Sequence, residues 1–457
     1  MSRSVKHSCL ALLCLALLPW LAPTPSALAA TTYEVGPGKK YARLSLVAAL
    51  LKPGDTVLVS GNGATAYNDA VIFQAPGSPS APIAIRGVRD AGGRRPILSS
   101  AGATTVEFNA DHYLFEGFEA TGSGGNGKVL YHHADNITIR DTLVRDCPNH
   151  GILGADEGSG SLTLDYVEVT NCGNGEQKHS IYIATDKPAA IFRMQFCYVH
   201  SAKGGNAVKS RAQRNEIYYN WIEDSSFHEL ELIGPDDGTG GAIGAPRRDS
   251  DVVGNVLVKR RGANSNGDSL VRIGGDGTGQ TWGRYRFVNN TFVAGARIPI
   301  IWAFTGLESV EFHNNVFVNA AGGGVPILNA QEADWRGGRV VAGSKNWAQR
   351  GSEIPPEFSN TIQGDQPGFV DLGAFDLRPS NAASPLVNAG NDTPASPPGH
   401  DFPGPRALPS YHPPQGKIEL PDVAVLRPNN AAIDIGAYEF GVALTLEPRA
   451  YLPLVRR

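Results

Sequence analysis

The chain has 457 residues, 41% hydrophobic and 18% charged, with 54 Gly and 32 Pro. That apolar share excludes wholesale disorder, and a formal net charge of −4 argues against a general nucleic-acid binder. The length suggests about three ordinary domains, unless a repeat architecture spreads one core along the whole chain.

Residues 1–30 read as a signal peptide. Arg3, Lys6 and His7 form a short basic start, and Cys9 to Leu21 is an apolar run broken only by Pro19. Ala27-Leu28-Ala29 then supplies small residues for cleavage after Ala29 or Ala30. The run is short for a membrane span, and no later stretch is long enough for one. The expectation is a secreted protein, extracellular or periplasmic, with no membrane span. Loss of Arg3 and Lys6 takes the formal charge from −4 to about −6, because residues 1–30 hold no Asp or Glu.

Tyr41 to Leu51 carries apolar residues at helical spacing and ends before Lys52-Pro53-Gly54-Asp55. Thr56 to Ser60 is β-rich, and Ala81 to Gly87 reads as an early strand. A short helix feeding a strand suits the cap that an open-ended solenoid needs. Beyond it, segments of four to six β-rich residues alternate with Gly, Asn and Asp. One pattern recurs: an apolar residue, two variable residues, Asn, then an apolar residue two further on. It appears at Ile217–Ile222, Val252–Leu257, Phe287–Phe292 and Phe312–Phe317, with Asn220, Asn255, Asn290 and Asn315 spaced 35, 35 and 25 apart. Ile137-Thr-Ile139 and Leu162-Thr-Leu164 are 25 apart, as are Cys147 and Cys172. Such a recurrence marks a solenoid. An Asn at one place in every coil can take left-handed backbone angles and bond to the Asn of the next coil. The predicted fold is all-β: a single-stranded right-handed parallel β-helix with a short N-terminal capping helix.

The repeat spans residues 31–440 in this reading. From about 320 it loosens, and Pro355-Pro356, Pro397-Pro398 and Pro413-Pro414 suggest loops laid over the last coils. His400-Asp401 and Arg406 would tether them. Asp434 to Glu439 reads as a terminal rung, and residues 441–457 form a tail. Of the five Cys, Cys147, Cys172 and Cys197 survive cleavage, with no CxxC spacing among them. One disulfide with one buried thiol fits, and three stacked core thiols fit as well.

Val35-Gly-Pro-Gly38, Pro53 to Val57, the Asn rungs and Asp434 to Glu439 together resemble the pectate-lyase-like superfamily of parallel β-helices. That fold hosts lyases, hydrolases, epimerases and binding proteins. Lys209-Ser210, followed by Asn215 and Asn220, resembles the Lys-Ser…Asn segment of the chondroitinase B and alginate lyase family. The resemblance implies Lys209 as Brønsted base beside an Arg on a following coil; at that place Leu230 to Ile233 holds no Arg.

Stacked coils bring equal positions into columns about 4.8 Å apart, and side chains alternate in and out along each strand. Aligning His150-Gly-Ile152, His179-Ser-Ile181, Asn206-Ala-Val208, His228-Glu-Leu230 and Ser269-Leu-Val271 puts the third residue of each in the core. Leu153, Tyr182, Lys209, Glu231 and Arg272 then form one outward column, and His150, His179, Asn206, His228 and Ser269 another. β-Elimination on a uronate needs a cation at the carboxylate, a base for the C5 proton and an acid for the leaving oxygen. Lys209 is the candidate base, Arg272 or Arg211 the clamp, and Tyr182 or His179 the acid. Arg211, His228, Glu229, Glu231, Asn206 and His150 are candidate binding residues. The alternatives stay open: Lys209–Glu231 as an ion pair between rungs, Glu229 and Glu231 as the carboxylate pair of a hydrolase, or a non-catalytic sugar-binding face. The expected partner is an acidic polysaccharide, met by a monomer. Asp236, Asp237, Asp268 and Asp276 offer oxygen ligands for calcium, and are equally ordinary turn residues.

Overall fold

The computed structural model describes residues 30–154, 157–235, 246–260, 269–275, 281–304, 306–331, 335–404, 408–428 and 432–441. The leader, Arg406, the four candidate calcium-binding Asp and the tail lie outside the described residues. A typical coil contributes three short strands, as in Val208–Arg211, Arg214–Tyr218 and Trp221–Glu223, and in Ile137–Arg145 and Leu162–Thr170 the second and third run together as one. The strands of the coils pair in parallel with their counterparts one coil on, for example Tyr182↔Lys209, Met194↔Ile217 and Tyr198↔Trp221. The first strands of the coils stack into a ten-stranded sheet from Val71–Phe73 to Leu328–Ala330; the second and third strands belong to a 23-stranded network. The fold is therefore a right-handed parallel β-helix.

The core is one continuous apolar column inside the coils, running from Val35 through Ile181, Val208 and Leu230 to Phe312 and Ala348. Between the second and third strands the chain turns sharply at residues of positive φ: Tyr166 (52°), Phe196 (54°), Tyr219 (56°), Asn289 (53°) and Asn314 (58°). The recurring Asn is the next residue, so the left-handed angle expected of it falls one position earlier. Its side chain does form the expected ladder. Asn220 Nδ2 donates to Asn255 Oδ1 at 2.9 Å, Asn255 to Asn290 at 3.0 Å, Asn290 to Asn315 at 3.0 Å, and Asn315 to Asn346 at 3.1 Å. These five Asn are fully buried.

The cap differs from the sequence pattern in length. Only Ser45–Ala48 is helical, because Tyr41 bridges to Val35 and the chain leaves the helix at Ala49. Leu44, Val47, Ala48 and Leu51 nevertheless close the core end. Cys147 and Cys172, one coil apart, form a disulfide, and Cys197 is a buried thiol.

The β-ladder extends past residue 320, through Val341–Ser344 and Trp347–Gln349 to Ile362–Gly364. Beyond Gly364 the chain becomes a strap that folds back along the outside of the coils. Leu377, Leu386, Ile435, Ala437 and Tyr438 cover Trp221, Val256, Val293, Val316 and Trp347. Leu408, Tyr411 and Ala424 pack on Tyr166, Phe196 and Tyr219, and Asp422 accepts from Arg140 at 2.6 Å. His400 meets Glu308 at 3.0 Å, and Asp401 O accepts from Arg284. Asp434–Glu439 is not a rung. It lies sideways on the coils, with Asp434 O accepting from Asn289 Nδ2 at 2.8 Å and Gly436 N–H donating to Asn314 O at 2.7 Å. No described helix is long and apolar enough to cross a membrane.

Candidate active site

The register of the ten-stranded sheet sets the geometry. Leu153, Tyr182, Lys209, Glu231 and Arg272 are successive partners. Ile152, Ile181, Val208, Leu230 and Val271 fill the core beside them. Alternation along each strand turns the first set outward.

Glu231, only 1% exposed, is the hub. Its Oε2 lies 3.5 Å from Lys209 Nζ, and its Oε1 lies 3.5 Å from an Arg272 terminal nitrogen. Asn206 Nδ2 also donates to Oε2. One carboxylate thus bridges the Lys209 amine and the Arg272 guanidinium on the rungs either side of it. Removing the carboxylate would leave the Arg272 guanidinium without that counter-charge, a costly change beside so buried a place. Lys209 Nζ sits 5.4 Å above the Tyr182 ring. Arg211 Nε donates to Tyr182 Oη at 3.0 Å, and a terminal nitrogen of Arg211 donates to Gly234 O at 2.5 Å. Arg248 in turn donates to Arg211 O at 2.5 Å. Arg211 is thereby tied down and buried, whereas the Arg272 side chain keeps 20% of its surface open. Of the two clamps the sequence offered, Arg272 has the freer access.

The second column is a run of side chain to backbone hydrogen bonds. His150 Nδ1 accepts the His179 N–H at 3.0 Å, His179 Nδ1 accepts the Asn206 N–H at 2.9 Å, and Asn206 Oδ1 accepts the His228 N–H at 3.0 Å. His228 Nδ1 instead faces Ser269 O at 3.0 Å and must donate. The network therefore assigns the proton to Nε2 in His150 and His179 and to Nδ1 in His228. Burial keeps all three rings neutral, holding His150 down to about 4, His228 down to about 3 and His179 well below its ordinary value. A neutral imidazole with Nδ1 engaged by the backbone is a weak acid, which favours Tyr182 over His179 as proton donor.

Glu229 does not share this face. It falls in the inward position occupied by Ala207 and Leu270 on neighbouring coils, both core residues. Its Oε1 accepts from Ser225 Oγ at 2.8 Å, its Oε2 lies 3.6 Å from Lys259 Nζ, and both charged side chains are fully buried. Burial pushes its carboxyl up to about 7. Glu229 is thereby removed from the binding set, and the carboxylate pair imagined with Glu231 is split between the inside and the outside of the sheet. The chain bends just before Leu230, so strict alternation fails there. Among the described residues no cluster of three or more His, Cys, Asp or Glu is arranged to hold a metal ion.

The outward column also extends further than the sequence pattern was followed. Tyr131 precedes Leu153, and Trp302 and Asn329 succeed Arg272. Pro299-Ile-Ile301 continues the same three-residue alignment and would have pointed to Trp302. An open cleft of about 380 Å³, formed where the strap meets Asp165, Tyr166, Gln195 and Phe196, lies at another corner and contains none of these residues.

No protein-family model matches the chain, and no curated protein matches it. Among solved structures it is similar to pectate lyase Pel9A, at 14% identity and a TM-score of 0.44, over 90% of this chain and 96% of that one. It is similar to an alginate lyase from Paenibacillus sp. str. FPU-7, at 14% identity and a TM-score of 0.38, over 73% and 98% of the two chains. A GH136 lacto-N-biosidase from Eubacterium ramulus gives 12% identity and a TM-score of 0.37, over 73% and 68%. Likenesses of this size say nothing of activity, so the chemistry rests on the side chains.

Proposed function

We propose that this chain is an exported enzyme that cleaves an acidic, uronate-containing polysaccharide by β-elimination. The observation that carries the reading is the column itself: a phenol, an amine and a guanidinium on one outward face, on nearly successive rungs, with Lys209 Nζ 5.4 Å from the Tyr182 ring. Arg272 holds the uronate carboxylate and stabilises the charge that develops as C5 loses its proton. Lys209, in its neutral form, takes that proton on Nζ. The electron pair left at C5 forms the C4–C5 double bond as the bond from C4 to the glycosidic oxygen breaks, and Tyr182 Oη protonates the departing oxygen. Glu231 and Asn206 hold Lys209 and Arg272 in register, and Arg211 orients the phenol. The buried His150, His179 and His228 form the neighbouring column, with the His150 and His179 rings 5.8 and 5.4 Å from the Tyr182 ring.

A panel of polyuronates and glycosaminoglycans, followed by ultraviolet absorbance of the unsaturated uronate, tests this. Elimination raises the absorbance. New reducing ends without it indicate hydrolysis, and affinity with neither indicates a binding protein. Lys209→Ala is expected to lower turnover by roughly 10²–10⁴-fold. Its fold should stay intact by circular dichroism, because Glu231 keeps Arg272 as partner. Undiminished turnover in that variant sinks the assignment of Lys209 as base.

A further inference from the structure

The two ends of the outward column differ in charge. On one side of the centre, Arg272 pairs in register with Trp302, and Trp302 with the exposed Asn329. Trp302 is half-buried, its ring 4.7 Å from Phe304, which lies 5.2 Å beneath the Arg272 guanidinium. On the other side come the buried Leu153 and then Tyr131. Tyr131 has the Lys128 ammonium at 4.8 Å and the His133 ring at 4.1 Å. His133 in turn lies between Glu107, at 3.8 Å, and Glu157, at 3.6 Å. A polyanion approaching that end meets two carboxylates against the one ammonium of Lys128. Approaching the other, it meets a guanidinium, an indole and a neutral amide.

We propose that Trp302 is the platform for a sugar ring beyond the one held at Arg272, so that substrate extends from the reacting centre toward Trp302 and Asn329 and not toward Glu107. This rests on the acidic-polysaccharide reading above. An indole offers a broad apolar face to the C–H face of a pyranose and keeps its edge polar. Lys209 and Trp302 are three rungs apart, roughly 14 Å, so the platform serves a ring remote from the bond that breaks. It contributes to binding and not to the chemical step.

The test is steady-state kinetics on oligouronides of increasing length with wild-type protein, Trp302→Ala, Trp302→Phe and Tyr131→Ala. Trp302→Ala is expected to raise KM about tenfold for oligomers long enough to reach it. For the same variant kcat should stay within about twofold and the shortest substrate should be unaffected. Trp302→Phe should recover most of the loss, and Tyr131→Ala should change KM by less than about twofold. An equal change at all lengths, no change at the longest, or a larger loss in Tyr131→Ala overturns the proposal. If wild-type protein forms no unsaturated product from any polyuronate, the elimination reading is what has failed. Calorimetric affinities for the same oligomers and variants then decide on Trp302 by the same length dependence.

Discussion

Asn255→Ala removes one link from the buried amide ladder, and its cost can be worked from the contacts. Asn255 Oδ1 accepts from the Asn220 backbone N–H at 2.8 Å and from Asn220 Nδ2 at 2.9 Å. Its Nδ2 donates to Ile217 O at 2.8 Å and to Asn290 Oδ1 at 3.0 Å. Asn290 Oδ1 keeps the Asn255 backbone N–H at 3.0 Å, so it is not stranded. The Asn220 backbone N–H and one Asn220 amide hydrogen are stranded, whereas the Ile217 carbonyl stays in the parallel ladder that pairs Tyr218 with Val253. At about 1–3 kcal/mol for each buried unsatisfied group, partly relieved by water entering the vacated space, the expected loss is about 2–4 kcal/mol. Urea unfolding at equilibrium, with the slope checked for constancy, measures it. Asn329→Ala, exposed on the other sheet, is the control and should stay within about 0.5 kcal/mol. A loss below about 1 kcal/mol in Asn255→Ala would refute the ladder as a major source of stability.

Acid should weaken the fold through its buried imidazoles. His132 faces the core, is fully buried with Nδ1 3.1 Å from Ala134 O, and is held down to about 4 by burial. Below about pH 6.5 the unfolded chain takes up a proton that the native ring refuses until about pH 4, so stability falls as pH drops through that window, by up to about 3 kcal/mol from this residue. His132→Leu should flatten the acid limb of urea midpoints measured from pH 7 to pH 4.5, and an unchanged acid slope would count against it. For the cysteines, alkylation followed by mass spectrometry should label Cys197 only after unfolding, and Cys147 and Cys172 only after reduction as well. Breaking that disulfide, which closes a 25-residue separation, should lower stability by about 3 kcal/mol, read as a shift in Tm with and without reductant.

The parts legible in the sequence were those written with a period. The Asn spacing gave the coils, and the alignment on Ile152, Ile181, Val208, Leu230 and Val271 is the register found. Asn346 escaped because the apolar residue that opens the pattern is Gly343 there. The Phe358 ring takes the space a side chain would need, a Cβ at Gly343 falling 2.3 Å from it. Glu229 was misplaced because alternation is a property of straight strands, and the chain turns a corner immediately before Leu230. The disulfide was open because a spacing of one coil fits a bond and a stack of thiols equally. The strap was read as covering only the last coils, since aperiodic Pro-rich sequence says that a segment is not a rung and nothing about which way it runs.

The returning strap also acts as a ruler. It is pinned near Asn289 and Asn314 at one place and at Arg140 at another. Inserting or deleting one coil between those anchors would displace one relative to the other by about 4.8 Å, further than a hydrogen bond can stretch. Repeat arrays ordinarily tolerate changes in copy number because each unit touches only its neighbours. Here the number of coils between Arg140 and Asn314 is fixed by a segment that is itself not a repeat, and only coils outside that span are free to be gained or lost.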